Sequence, residues 1–352
     1  MDNLTHTLIG ITLVRAGVGR GAAGATAAMI VASNAPDVDI VTAFTGGSMA
    51  YLAAHRGWTH GLLGVLLLAL ATWIGALAWR RSSRRTPPLT SRDALRLALV
   101  CAVGTALHVV MDLPTSYGTR LLSPFERTWF AVDWLPIIEI YLWLLLIGGL
   151  IVQWRRPSWR TVAARAVLVL VLAVYAVRAG AHGRALTLAA SLDAEGRVAP
   201  CASAETIVAY PSVIEAAAAG PGACVQAAAV PTFLSPFTWR LLRQHPGGYE
   251  LREHSLLRGV SPVGRVWIPS ESDPWIAAAR RTATARVFLG FSRFPAARSA
   301  VLPDGTRRVR FVDVRYVGNP LRLTPDPESR APFVATIELA PDGRVVSERL
   351  GP

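Results

Sequence analysis

The stretch from Gly61 to Trp79 carries no charged residue and is dominated by leucine and alanine. A helix crossing roughly 30 Å of hydrocarbon needs about 20 such residues, and no other feature constrains this chain as much. Three further runs follow. Leu97 to Met111 is interrupted by Cys101, Thr105 and His108, Trp134 to Gln153 by the carboxylate of Glu139, and Ala166 to Val177 is short, with Arg165 and Arg178 placed to snorkel at its ends. Two weaker segments come first, Leu8 to Val14 and Ala22 to Ser33, rich in small residues as closely packed membrane helices are. The pattern predicts about six membrane helices. A soluble helical bundle would need a polar stripe on each helix, which these runs lack.

Composition supports this reading. The 352 residues include 36 basic and 23 acidic side chains, and every basic one is arginine. With 52% hydrophobic and 17% charged residues the chain is not disordered, and three cysteines cannot staple it as a disulfide scaffold. A net charge of +13 would fit a nucleic-acid partner only if the arginines shared a soluble face. They fall instead between the apolar runs. Arg15 and Arg20 separate the first two helices; Arg80, Arg81, Arg84, Arg85 and Arg92 the third and fourth; Arg155, Arg156 and Arg160 the fifth and sixth. The alternate loops hold only Arg56, Arg120 and Arg127. The positive-inside rule makes the arginine-rich loops cytoplasmic, and the N-terminus and everything after the sixth helix extracytoplasmic. No basic flank precedes the first apolar stretch, so no cleavable signal peptide is expected.

The expected organisation is a polytopic α-helical membrane domain over residues 1–182, then a soluble extracytoplasmic α+β domain over 183–352. Strand formers gather in Arg308 to Val317 and Phe333 to Leu339, beside the turn signals Asp304-Gly305 and Asp342-Gly343. Ile207 to Ala219 and Trp275 to Thr284 read as helices, and Gly220 to Gly222 as a loop. Cys201 and Cys224 lie where oxidation is permitted, either bridged or as two thiols. Cys101 reads as packing, and His182, His245 and His254 as surface or packing residues.

The ionisable residues of the membrane part gather toward one level. His6 precedes the first helix, and Asn34, Asp37 and Asp39 follow the second. His55 and His60 bracket the entry to the third, His108 and Asp112 close the fourth, and Asp133 and Glu139 open the fifth. All stand near the outward ends. His108 and Asp112, four apart, share a helix face and form a two-pronged metal platform or, alternatively, a structural hydrogen bond. His55 and His60 fit together if the first is still in the loop and the second begins the helix. Asp37 and Asp39 on a Pro36 turn are metal ligands or solvated turn residues. Glu139, about two turns inside its helix, needs a partner there, and Asp133 suits a helix start. Imidazole and carboxylate without thiolate suit Zn²⁺, Mn²⁺ or Fe²⁺, and the number of donors admits one or two ions. Arg56 and Arg120, on the same side, are placed for an anionic substrate or for lipid headgroups.

The opening Met1-Asp2-Asn3-Leu4-Thr5-His6-Thr7-Leu8-Ile9-Gly10, the Asn34-Ala35-Pro36-Asp37-Val38-Asp39 turn, the His55-Arg56-Gly57-Trp58-Thr59-His60 motif and the block from His108 and Asp112 through Thr115–Arg120 to Pro124-Phe125 together resemble the YdjM-like bacterial inner-membrane proteins, a family described as metal-dependent hydrolases. The resemblance covers about residues 1 to 150. It implies that His6, Asp37, Asp39, His55, His60, His108 and Asp112 belong to a metal site. One departure stands out: the family carries Asp-Pro where this chain has Ile138-Glu139-Ile140.

These readings converge on a metal-dependent hydrolase of the bacterial cytoplasmic membrane. A metal-activated water would attack a phosphoester or other ester of a lipid-linked or amphiphilic substrate at the outer face. Asp37, His55, His60, His108 and Asp112, with His6 and Glu139, are the expected ligands. Asp37 or Asp39 is the expected bridge or general base, with Arg56 and Arg120 steadying charge. The alternatives are a transporter or metal-uptake protein, and a non-catalytic anchor with a structural metal. No nucleic-acid partner is expected.

Overall fold

Asp2 starts the first helix. Its side chain accepts the Thr5 N–H at 3.0 Å and caps α1 (Asn3–Ala16), which ends at Gly17. The structure is a computed structural model that describes residues 1–83, 87–193, 197, 200–210, 223–318 and 331–351. After α1 come α2 (Ala25–Ala32), a 3-10 turn (Ala35–Ile40) and α3 (Val41–Ala54), which is kinked at Gly47. Then follow α4 (Leu62–Ser82), α5 (Ser91–Asp112), the short strand β1 (Trp129–Ala131), α6 (Ile140–Arg155) and α7 (Arg160–Ser191). Thr90 and Asp93 cap α5 reciprocally.

Among the described residues, three helical stretches, Leu62–Ser82, Ser91–Asp112 and Pro157–Ser191, are long and apolar enough to cross a membrane. The pair Ala25–Ala32 and Ala35–Ala54, bent by 49°, brings the count to four if it forms one span. The count of about six is not confirmed among the described residues: α1 has 14 residues, α2 only 8 and α6 only 16. At 1.5 Å per residue α6 is about 24 Å long, short of the hydrocarbon layer. The run from Trp134 loses its first turns to Pro136, which restricts the residue before it and lacks an N–H.

The chain divides into two compact units, Met1–Val41 with Ala54–Val177, and Thr42–Ala53 with Arg178–Pro352. In the first, α2 lies tight against α5. A Cβ on Gly104 would sit 2.8 Å from the Ala32 Cβ and 3.1 Å from the Ser33 nitrogen, so glycine permits the approach. Cys101 is buried in this contact beside Ala25, Ala28 and Met29, a packing residue as expected. A second cluster joins Leu8 and Ile9 of α1 to Met111, Leu142, Leu146, Val167 and Val171.

The second unit is sheet-rich. It contains β2 (Val208–Tyr210), a four-stranded antiparallel sheet of β3 (Gln226–Pro231), β4 (Thr238–His245), β5 (Gly248–Ser255) and β6 (Gly259–Pro269), and two short helices, α8 (Pro274–Ala279) and α9 (Ala283–Leu289). A second antiparallel sheet follows, of β7 (Pro295–Val301), β8 (Arg307–Asp313), β9 (Val334–Leu339) and β10 (Val345–Leu350). Leu242, Leu251 and Ile268 pack with Phe294, Val312 and Val334, while Ile276, Ala285 and Phe288 cover Phe311 and Ile337. The two Asp-Gly turns join β7 to β8 and β9 to β10, with Gly305 and Gly343 both at φ +85°. Cys201 and Cys224 are joined by a disulfide.

Two expectations are corrected here. Val208–Tyr210 is a strand where a helix was read over Ile207 to Ala219; residues 211–219, and the Gly220–Gly222 loop, lie outside the described residues. The helix expected over Trp275 to Thr284 is two, because Thr282 accepts the Ala285 N–H and starts α9 afresh.

Candidate metal centre

Four donor atoms from three segments meet inside the first unit. Asp37 comes from the 3-10 turn, His60 from the loop before α4, and His108 and Asp112 from the last turns of α5. The His60 and His108 Nε2 atoms are 3.2 Å apart. Asp37 Oδ1 lies 3.5 Å from each of them, and Asp112 Oδ2 lies 3.4 Å from His60 Nε2 and 3.5 Å from His108 Nε2. Donors held 2.0–2.1 Å from a tetrahedral centre stand about 3.3–3.4 Å from one another. The five separations, 3.2–3.5 Å, lie within about 0.1 Å of that range.

The hydrogen bonds behind this cage fix the tautomers. His108 Nδ1 is 2.8 Å from the Ser33 carbonyl at the end of α2, which can only accept, so Nδ1 carries the proton. The Thr59 hydroxyl donates to Asp39 Oδ2 at 3.1 Å and has one proton to give, so at 3.0 Å from His60 Nδ1 it must accept. Both Nε2 atoms therefore present lone pairs into the same space. Two lone pairs 3.2 Å apart repel, and a cation between them removes the conflict. Asp112 Oδ2 also meets no hydrogen-bond donor among the described residues. The donor set thus fits a divalent metal ion.

Asp39 is the organiser of this loop and lies outside the four-atom cage. It accepts from His55 Nδ1 at 3.0 Å, from the Arg56 N–H at 2.9 Å and from Thr59. That grip holds Arg56 at φ +51°, a conformation unusual for a side-chain-bearing residue. A second group of ligand atoms, from Asp37, Asp39 and His55, shares Asp37 with the first. Burial pushes the His55 and His60 imidazoles below the ordinary histidine value, His60 to about 3, so both are neutral donors near pH 7.

The other expected residues lie around the cage. His6 lies inside α1, because capping by Asp2 starts the helix earlier than the apolar pattern does. Its ring is buried, stacks on His108 at 3.9 Å, and brings Nε2 within 3.3 Å of Asp112 Oδ1. His6 therefore flanks the four-donor cage. His60, expected to begin α4, is still in the loop, since α4 starts at Leu62. Arg56 is buried, with NH2 3.0 Å from Asp112 Oδ1 and NH1 donating to Thr115 Oγ1 and the Gly118 carbonyl at 3.0 and 3.2 Å. Through these contacts it braces a candidate ligand. The Met1 amine also contacts Asp112 Oδ1. Arg120 donates to the His55 carbonyl at 3.3 Å and lies over Trp129, bracing the loop.

Glu139 is not two turns inside a helix. Pro136 delays α6, so Glu139 is its N-cap, accepting from the Tyr141 N–H at 3.3 Å, and it belongs to neither ligand group. Asp133 lies in the loop at φ +59° instead of starting the helix. Sequence reasoning passed over Thr59, although its place beside His60 was signal enough; the Ser33 carbonyl gave none, because a backbone acceptor is invisible in residue types.

The model of the YdjM inner membrane protein family matches residues 1–182. The uncharacterized protein YfhP of Bacillus subtilis (strain 168) is 26% identical over 186 residues, 51% of this chain and 54% of its own length. The chain thus spans about half of that relative. No solved structure matches.

Proposed function

The chain belongs to the YdjM inner membrane protein family, and from that premise we propose that it is a metal-dependent hydrolase of the bacterial cytoplasmic membrane, acting on a phosphoester or other ester of an amphiphilic or lipid-linked substrate. The observation that carries this reading is the cage of His60 Nε2, His108 Nε2, Asp37 Oδ1 and Asp112 Oδ2, with tautomers already set for a cation. A divalent ion held there would supply Lewis acidity and lower the pKa of a water molecule. The residues around it have separate tasks. Asp39 fixes the His55 ring through Nδ1, leaving Nε2 as the ring atom that takes up a proton. Arg56 and the α5 backbone fix Asp112, and Ser33 and Thr59 fix the two imidazoles. The arginine asymmetry supports an outer-face site, with the N-terminus and the C-terminal unit extracytoplasmic.

A second reading has one observation in its favour. Four protein donors close a tetrahedron, as structural zinc sites do, whereas catalytic sites keep one position open. Asp37 argues for catalysis: its side chain is 14% exposed while those of the other three are at most 1%, and it is shared with the second ligand group. It is the donor placed to move or bridge. The test is hydrolysis of bis-p-nitrophenyl phosphate and of lipid phosphoesters by the zinc- or manganese-loaded protein, wild type beside Asp37→Asn. Turnover lost in Asp37→Asn with the ion retained supports catalysis. Metal-loaded wild type inert toward every ester leaves the structural reading.

A further inference from the structure

A cavity of about 430 Å³ runs between α1, α5 and α7, walled by Ile9 and Leu13, by Leu107 and Met111, and by Leu168 and Tyr175. Its lining is almost entirely carbon. Ile9 and Leu13 lie three and seven residues after His6, so the α1 stripe that carries His6 at the metal centre continues as the cavity wall. On α5, Leu107 and Met111 immediately precede His108 and Asp112. Met1 stands between the two regions: the Tyr175 hydroxyl donates to its sulfur at 3.3 Å, and its amine contacts Asp112. The cavity opens sideways at Val110 and Leu172, which are 62% and 68% exposed. Both belong to stretches apolar enough to cross a membrane, so in a bilayer that side would meet hydrocarbon.

Resting on the hydrolase reading above, we propose that this groove holds one hydrocarbon chain of the substrate lipid and places its ester at the metal centre. A carbon-lined space gives water nothing to bond to and gives a polar soluble substrate no gain. A partner helix, about 10 Å across, needs far more room than about 430 Å³. A lipid chain enters by lateral diffusion, exchanging one apolar surrounding for another. The groove's proximity to the cage argues for the substrate's chain over that of bulk lipid. Trp134 also lines the groove, and its indole N–H is buried with no acceptor among the described residues.

The test is photo-crosslinking in nanodiscs with phosphatidic acid bearing a diazirine in its palmitoyl chain, mapped by peptide mass spectrometry, beside the same chain on phosphatidylcholine. The expected result is labelling concentrated on the segments containing Ile9, Leu107–Met111 and Leu168–Tyr175, stronger for phosphatidic acid. Filling the groove with Val110→Trp/Leu168→Trp should abolish it while bound metal persists. Labelling spread evenly over the lipid-exposed α4, or equal for the two headgroups, would overturn the proposal. Metal analysis of the same samples is a separate readout: wild type without metal removes the hydrolase reading, whereas unselective labelling with metal present removes only the groove.

Discussion

His60 and His108 point their Nε2 atoms at each other across 3.2 Å, although 48 residues separate them in the chain. Neither nitrogen carries a proton, because the ring proton sits on Nδ1, which donates to Thr59 Oγ1 in His60 and to the Ser33 carbonyl in His108. Asp37 and Asp112 complete the arrangement, and the surrounding residues hold the four donors in place.

Asp39 is a positioning residue on this account. Asp39→Asn keeps the shape but weakens its hold on His55, the Arg56 amide and Thr59, which in turn fixes His60. Outer-shell changes of this kind lower metal affinity about 10–100-fold. A competitive chelator titration should show that loss with stoichiometry preserved. Unchanged affinity would mean that Asp39 does not orient the site.

Arg56 is expected to matter for stability. It is buried beside Asp112, and removing one member of such a pair costs about 3–5 kcal/mol. Arg56→Gln should show a loss of that order in detergent unfolding. Arg56→Lys should restore little, since one ammonium cannot reproduce the fork that joins Asp112, Thr115 and Gly118. A full rescue by lysine would contradict this geometry.

Gly64, in the first turn of α4, lies against the Trp58 carbonyl and the Thr59 Cα, where an added Cβ has no room. Gly64→Ala should push the Thr59–His60 segment aside, destabilising by about 1–3 kcal/mol and weakening metal retention. Gly75→Ala, where nothing lies within 4 Å, is the control and should leave both unchanged. Equal behaviour of the two variants would contradict the packing argument.

The Cys201–Cys224 disulfide gives a handle on topology. If the second unit is extracytoplasmic, the bridge forms in the cell and persists. Maleimide should then fail to label either cysteine in trapped, unfolded extracts until a reductant is added, while buried Cys101 labels on unfolding alone. Labelling of all three without reductant would place the unit on the cytoplasmic side.

The membrane character of the chain was readable because uncharged runs such as Gly61 to Trp79 have few alternatives. The Asp-Gly turns were readable because Gly305 and Gly343 occupy left-handed backbone. The number of spans was harder, since an apolar run does not show where a helix begins. Pro136 moved α6 to Ile140 and turned Glu139 from a buried candidate ligand into a cap. Within the site, residue types pointed to His60, His108, Asp37 and Asp112 as donors. They could not separate these from His6 and Asp39, because a ligand and the residue that orients it can be of the same type. Only distances divide those roles.

Metal content of the detergent-purified protein, wild type beside His108→Ala/Asp112→Asn, tests the central claim most directly. The account predicts at least one tightly held divalent ion per wild-type chain, surviving dialysis and lost in the folded double variant. A wild type that holds no metal even after reconstitution, or a double variant that keeps its ion, would contradict it.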